Sequence, residues 1–307
     1  MSRVDRLQAP VQALDTDKPE EILDFVLAAS AQGKVAIATL VGIEGGAARA
    51  LGALVAVAED GRYCGFVSGG CVEAAVAAEA LAAMEDGRDR TVVFGRGSPY
   101  FDIALPCGGG ITIAIHLIND PDVLRTTLDR LRGRTPTALR YCPSRQILSH
   151  SSEPTIHAGW EDDVFINVFR PDTRIVIFGH GNEASSVERL AASSGYDVVV
   201  GNTRDVKQSQ KAIDAFTAVV LLYHDIEPES DVLREVLHSP AFYIGALGSR
   251  RTHERRVERL TGLGMQREAL DRIKAPIGLF GPTKNSVSLA LSILAEVAAI
   301  RIEAYGH

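Results

Sequence analysis

The stretch at residues 173–205, TRIVIFGHGNEASSVERLAASSGYDVVVGNTRD, sets out four elements in a fixed order. Residues 174–178 form a short apolar strand, and Gly179-His180-Gly181 a tight turn. Residues 182–194 have the spacing of an amphipathic helix closed by Gly195, and residues 197–200 form a second strand. Strand, glycine turn, helix, strand is the opening of a Rossmann-type βαβ unit. The turn reads G-x-G-x-x-A: Gly179 permits the bend, Gly181 lets backbone approach a phosphate, and Ala184 allows close helix–sheet packing. A dinucleotide site also needs a carboxylate ending the second strand. Here Asn202 and Arg204 stand at that end: a hydrogen-bonding amide and a phosphate-binding cation. True NAD(P) binding and a retained fold with an altered nucleotide site both remain open.

Downstream, strands at residues 218–223 and 241–248 alternate with helices, and a long helix covers about residues 284–304. The second half therefore reads as a Rossmann-like, doubly wound parallel-sheet domain. A second glycine turn, YIGALGSRRTHERR (243–256), ends one strand. Gly245 and Gly248 permit close backbone approach, Ser249 is a helix cap or a ligand contact, and Arg250 and Arg251 add cations. His224-Asp225 falls at the same sheet edge, as a catalytic pair or a capped turn.

The first half is a small, mixed α/β domain. Helices are expected at residues 20–31 and 122–131, and from Cys71 to Asp86. Strands are expected at residues 35–41, 53–58, 63–67, 91–94 and 111–117. Residues 144–160 are polar and rich in turn formers, a strand-like run follows at 163–170, and Pro171-Asp172 punctuates the chain. The expected division is a domain at 1–150, a linker at 151–171 and a second domain at 172–307.

At 307 residues the chain suits two domains, and 46% hydrophobic with 23% charged residues is a globular composition. A net charge of -7 argues against a general nucleic-acid or anionic-membrane binder. The N-terminus lacks the apolar core of a signal peptide and no uncharged run has membrane-spanning length, so a cytoplasmic location is expected. Cysteines 64, 71, 107 and 142 form no CxxC and no zinc-spaced Cys/His set, which leaves them as free thiols.

Two of these cysteines have glycine neighbours. Gly69-Gly70-Cys71 leads into an Ala-rich helix, whose first N–H groups favour an anion and lower a thiol pKa; the alternative is a small buried residue that lets the helix pack closely. Cys107-Gly108-Gly109-Gly110 offers a side-chain-free surface of N–H groups suited to an anionic or flat ligand. Residues 45–52, Gly-Gly-Ala-Ala-Arg-Ala-Leu-Gly, form a third such loop, with Arg49 as its one cation.

Gly-Gly-Cys-Val-Glu at 69–73, Pro-Cys-Gly-Gly at 106–109, Tyr-Ile-Gly-Ala-Leu-Gly-Ser-Arg at 243–250, Ala-Pro-Ile-Gly-Leu at 275–279 and Leu-Ser-Ile-Leu-Ala-Glu at 291–296 follow one another in this order. As a set these motifs resemble the XdhC/CoxI family of xanthine dehydrogenase accessory proteins. The resemblance spans about residues 20–303. It implies a protein that binds molybdenum cofactor (molybdopterin), protects it while a cysteine desulfurase supplies the sulfido ligand, and delivers it to an apo molybdenum hydroxylase. It also implies a homodimer with no turnover of its own. It favours Cys107 as the contact with molybdenum; Cys71 is then expected to line the same pocket, and Glu73 to anchor its loop through backbone N–H groups rather than to react. Departures fall mostly in the second half: Asn182 replaces a usual histidine, Asn202-Thr203-Arg204 a usual Asp-Asp-Arg, and Ser286-Val287-Ser288 a Pro-Glu-Glu pattern. In the first loop Arg49 is kept and the hydroxyl lost. The competing reading is an NAD(P)-dependent oxidoreductase using the GHGNEA turn; a third is a paralogue that only docks onto the hydroxylase.

Overall fold

A computed structural model of the chain describes residues 9–96, 108–201 and 206–306. The chain splits into two compact units, Met1–Pro171 and Asp172–His307.

The first unit runs β1 (Val11–Leu14), α1 (Pro19–Ser30), β2 (Val35–Glu44), β3 (Leu54–Ala58), β4 (Arg62–Gly65), α2 (Glu73–Asp86), β5 (Arg90–Gly95) and β6 (Gly110–Leu117). It continues with α3 (Asp122–Arg132), β7 (Thr137–Cys142), β8 (Ile147–Ser151), β9 (Gly159–Glu161) and β10 (Val164–Phe169). Strands order β1-β4-β3-β2-β6-β5 in one sheet, with β1 parallel to β4 and every other pair antiparallel. The central strand β2 is apolar on both faces because both are covered. Alternation sends Ala36, Ala38 and Leu40 towards α2, and Val35 and Ile37 towards α1 and α3. Ala77, Ala80 and Ala83 let α2 approach the sheet closely, and the helix ends at Gly87, whose N–H bonds the Ala83 carbonyl at 2.9 Å.

A second, antiparallel sheet has the order β8-β7-β10-β9. Its Tyr141 and Phe165 pack on Val41 and Ala114 of the first sheet. Residues 151–171, expected as a linker, thus carry β9 and β10 and belong to the first unit. The reason is positional: β8 and β9 are edge strands, so polar and turn-forming residues suit them as well as they suit a connection.

The second unit runs β11 (Arg174–Gly179), α4 (Asn182–Ser193), β12 (Asp197–Val200), α5 (Val206–Gln210), β13 (Thr217–Leu222) and α6 (Ile226–Val236). It ends with β14 (Tyr243–Ala246), α7 (Arg250–Gly262), α8 (Arg267–Leu270), β15 (Ile273–Lys274) and α9 (Ser286–Tyr305). All five strands are parallel, in the order β12-β11-β13-β14-β15. Ile175, Ile177 and Val220 face α4 and α9, whereas Val176, Val219 and Leu221 face α6 and α7. The sheet is therefore doubly wound, as the glycine turn and alternating elements predict.

Candidate functional site

Three glycine loops meet at one end of the first sheet. The β2–β6 ladder closes with Glu44 opposite Gly110, so residues after Glu44 and before Gly110 leave the sheet together. A Cβ on Gly109 would collide with the Gly46 carbonyl oxygen, so only glycine permits this backbone approach. On the other side, the Cβ position of Gly69 lies 3.8 Å from the Ala48 side chain. The Gly45–Gly52 loop thus touches both the Gly69-Gly70-Cys71 loop and the Gly108-Gly109 segment. Among the described residues, no heavy atom lies within 4 Å of a Cβ placed on Gly70 or Gly108. Cys107 itself lies outside the described residues.

Glu73 builds the Cys71 loop. It is 2% exposed, and its carboxylate accepts hydrogen bonds from the N–H groups of Val67 (3.1 Å), Ser68 (2.8 Å) and Val72 (3.1 Å). The Ser68 hydroxyl joins the carboxylate at 2.8–2.9 Å and also accepts from the Cys71 N–H at 3.1 Å. Helix α2 starts at Glu73, two residues after the expected start at Cys71. The N–H groups of Cys71 and Val72 are taken by Ser68 and Glu73, and the first turn of the helix begins two residues beyond the thiol. Cys71 is a free, exposed cysteine. It is not the buried packing residue that the Ala-rich helix also allowed.

Arg49 lies on the middle loop. Its Nη1 pairs with Asp17 at 3.1 Å and its guanidinium stands 5.4 Å from the centre of the Phe66 ring. Its Nε is buried and has no hydrogen-bond partner among the described residues. The other described cysteines are elsewhere: Cys64 is in the core, where burial pushes its thiol up to about 12, and Cys142 contacts Ser144 and Asp163. Among the described residues, no group of three His, Cys, Asp or Glu could hold a metal ion.

In the second unit, Gly179 brings β11 against the Leu222 carbonyl. Gly181 (φ 90°) precedes α4, and no side chain caps that helix. The Asn182 amide donates to Ser286 Oγ at 3.0 Å, tying the turn to α9. Glu183 Oε2 lies 3.7 Å from the Cβ position of Gly181 and 4.0 Å from His224 Nε2. A carboxylate therefore stands at the turn where a pyrophosphate would bind. Ser249 follows Gly248 and caps α7: its Oγ accepts from the Thr252 N–H at 3.2 Å. Arg250, the first residue of α7, is exposed. Asn202 and Arg204 lie outside the described residues.

Residues that sequence reading did not single out support these loops. Arg256 and Glu229 form a buried pair at 2.8 and 3.1 Å, and Arg256 also donates to the Leu247 carbonyl at 2.6 Å, just before Gly248. Burial raises the Glu229 carboxyl despite that arginine. Asn167 and Asp17 reach the Arg49 loop from distant segments, and Trp160 reaches Val41 in the strand that leads into it. No local pattern marks such contacts; Ser68 alone had a signal, standing before two glycines and a helix.

Fold and site define the class: a two-unit α/β protein with glycine loops gathered in its first unit and a Rossmann unit second. Family models described as "XdhC and CoxI family" and "XdhC Rossmann domain" match residues 28–95 and 175–297. The molybdenum cofactor insertion chaperone PaoD of Escherichia coli is 48% identical over 294 residues, covering 95% of this chain and 92% of that protein. The chain belongs to the XdhC and CoxI family. A Bacillus subtilis protein described as a probable xanthine dehydrogenase subunit is 23% identical over 88% of this chain and 94% of its own. The crystal structure of a xanthine dehydrogenase from Bacillus halodurans shares the fold, with a TM-score of 0.72 at 20% identity, covering 92% of this chain and 95% of that one.

Proposed function

We propose that the protein carries molybdenum cofactor as cargo: it binds the cofactor, shields it while a cysteine desulfurase provides the terminal sulfur, and passes it to an apo molybdenum hydroxylase. The observation that carries this reading is the meeting of three glycine loops, the middle one carrying Arg49. A pyranopterin dithiolene is flat, polar and phosphorylated. Side-chain-free backbone suits its ring edges, and the Arg49 guanidinium is the cation of these loops that suits its phosphate. Thiols suit molybdenum, so Cys107, next to Gly108, is assigned the metal end and exposed Cys71 a place in the same pocket. The 48% identity to a named insertion chaperone supports the same reading. Free thiols at Cys64, Cys71 and Cys142 fit a reducing compartment, and we place the protein in the cytoplasm, as a homodimer.

The competing oxidoreductase reading needs NAD(P) on the glycine turn of the second unit, where the Glu183 carboxylate would face a pyrophosphate. No helix among the described residues is long and apolar enough to cross a membrane. Reconstitution separates the readings. Protein loaded with molybdenum cofactor, treated with desulfurase and cysteine and mixed with apo-hydroxylase, is expected to yield hydroxylase activity, while NAD(P)H titration shows no saturable binding. Saturable NAD(P) binding without any cofactor transfer would overturn the proposal.

A further inference from the structure

Strand β2 carries an irregularity just before the Arg49 loop. Leu40 pairs with Ile113 and Gly42 with Thr112, so Val41 is an extra residue in the ladder. Such a bulge leaves one residue outside the regular hydrogen bonding and turns the strand end that follows. The side chain of Val41 is buried against Tyr141 and Phe165 of the second sheet. Its carbonyl accepts a hydrogen bond of 2.8 Å from the indole Nε1 of Trp160, on edge strand β9. The far end of the loop is held in the same way. Asn167 of β10 donates from Nδ2 to the Gly52 carbonyl at 2.9 Å, while Gly52 N–H bonds the Leu40 carbonyl at 2.8 Å. Gly52 has φ 90°, and a Cβ there would collide with Asn167, so residue and partner fit each other. Trp160 itself stands edge-on to Phe165, 5.3 Å between ring centres.

We infer that Trp160 and Asn167 are positioning residues for the cofactor site: the second sheet holds β2 at Val41, where the strand bends towards the Gly45–Gly52 loop, and the far end of that loop at Gly52, and so fixes Arg49 and the backbone of Gly46 against Gly109. This rests on the proposed cofactor site. A loop bracketed by two side chains from a separate sheet keeps its N–H groups and guanidinium preorganised, and binding does not have to order them. Trp160 is the only tryptophan in the chain, so the emission reports on its seat against Val41 and Phe165.

The test uses the full chain and two variants, Trp160→Phe, which keeps the ring and loses the N–H, and Asn167→Ala. Hydrogen exchange in the unliganded protein reads the loop, and equilibrium binding of molybdopterin reads the site. Expected are faster exchange of amides 45–52 in both variants, unchanged exchange in α2 and β6, and molybdopterin affinity about fivefold weaker in Trp160→Phe, the worth of one hydrogen bond. Molybdopterin is also expected to quench Trp160 emission in the parent. Faster loop exchange with unaltered affinity, or unaltered exchange in both variants, overturns the positioning role. A parent that binds no molybdopterin overturns the cofactor-site reading itself, and the inference with it.

Discussion

The N–H groups of Val67, Ser68 and Val72 converge on one carboxylate, that of Glu73. Hydrogen bonds to a charged group are worth more than neutral ones, and a buried donor left without an acceptor costs about 1–3 kcal/mol. Glu73→Ala strands three such donors, although a water admitted to the vacated space satisfies some of them. The expected loss is about 3 kcal/mol, read as a lower urea midpoint at unchanged slope. A loss below about 1 kcal/mol would mean that the loop does not depend on this carboxylate. The role of Glu73 was partly legible: a glutamate just after a glycine pair at a helix start has backbone donors within reach. The pairing of Arg49 with Asp17 was not, since 32 residues separate them and only the fold brings them together.

At the scale of elements, the two sheets of the first unit are joined by a buried polar cluster as well as by apolar packing. Asp89 meets His116 Nδ1 of β6 at 2.6 Å, the Tyr141 hydroxyl of β7 at 2.8 Å and the Leu117 N–H at 2.9 Å. Burial alone would raise this carboxyl, but the bonds from His116, Leu117 and Tyr141 outweigh it and hold Asp89 below the usual carboxylate range. A depressed carboxyl contributes stability that is complete above its unfolded value, about 3.9, and is lost as pH falls through its lower folded value. Asp89→Asn is thus expected to be less stable by about 2 kcal/mol at neutral pH. The gap between parent and variant should narrow as urea midpoints are followed down to about pH 3. A gap that stays constant across that range would remove the carboxylate from the account. Strand β2 and helix α2 were legible from their apolar and alanine patterns. Of the second sheet, β10 was legible as the strand-like run at 163–170, but ILSHS and GWE were not, because they are edge strands whose partners are set by tertiary packing.

Over the whole molecule, the half of the chain with the stronger local grammar was the easier to read. Strand, glycine turn and helix in sequence specify a parallel unit, since each crossover must return to the same sheet. The first unit mixes antiparallel neighbours with one parallel edge pair, β1 on β4, and no local pattern dictates that order. Its candidate site was legible as three glycine loops, and the Cys71 and Cys107 loops were expected to share a pocket; that the Gly45–Gly52 loop lies between them depends on the β2–β6 register. Cofactor binding at that place is the central claim, and pterin release tests it most directly. Protein purified from its own host is denatured and oxidised, and the fluorescent pterin is measured per chain in the parent, Cys71→Ala and Cys107→Ala. The account expects pterin in the parent, a partial loss in Cys71→Ala and a near-complete loss in Cys107→Ala, with all three chains equally folded by circular dichroism. Full pterin in Cys107→Ala, or none in the parent, would contradict it.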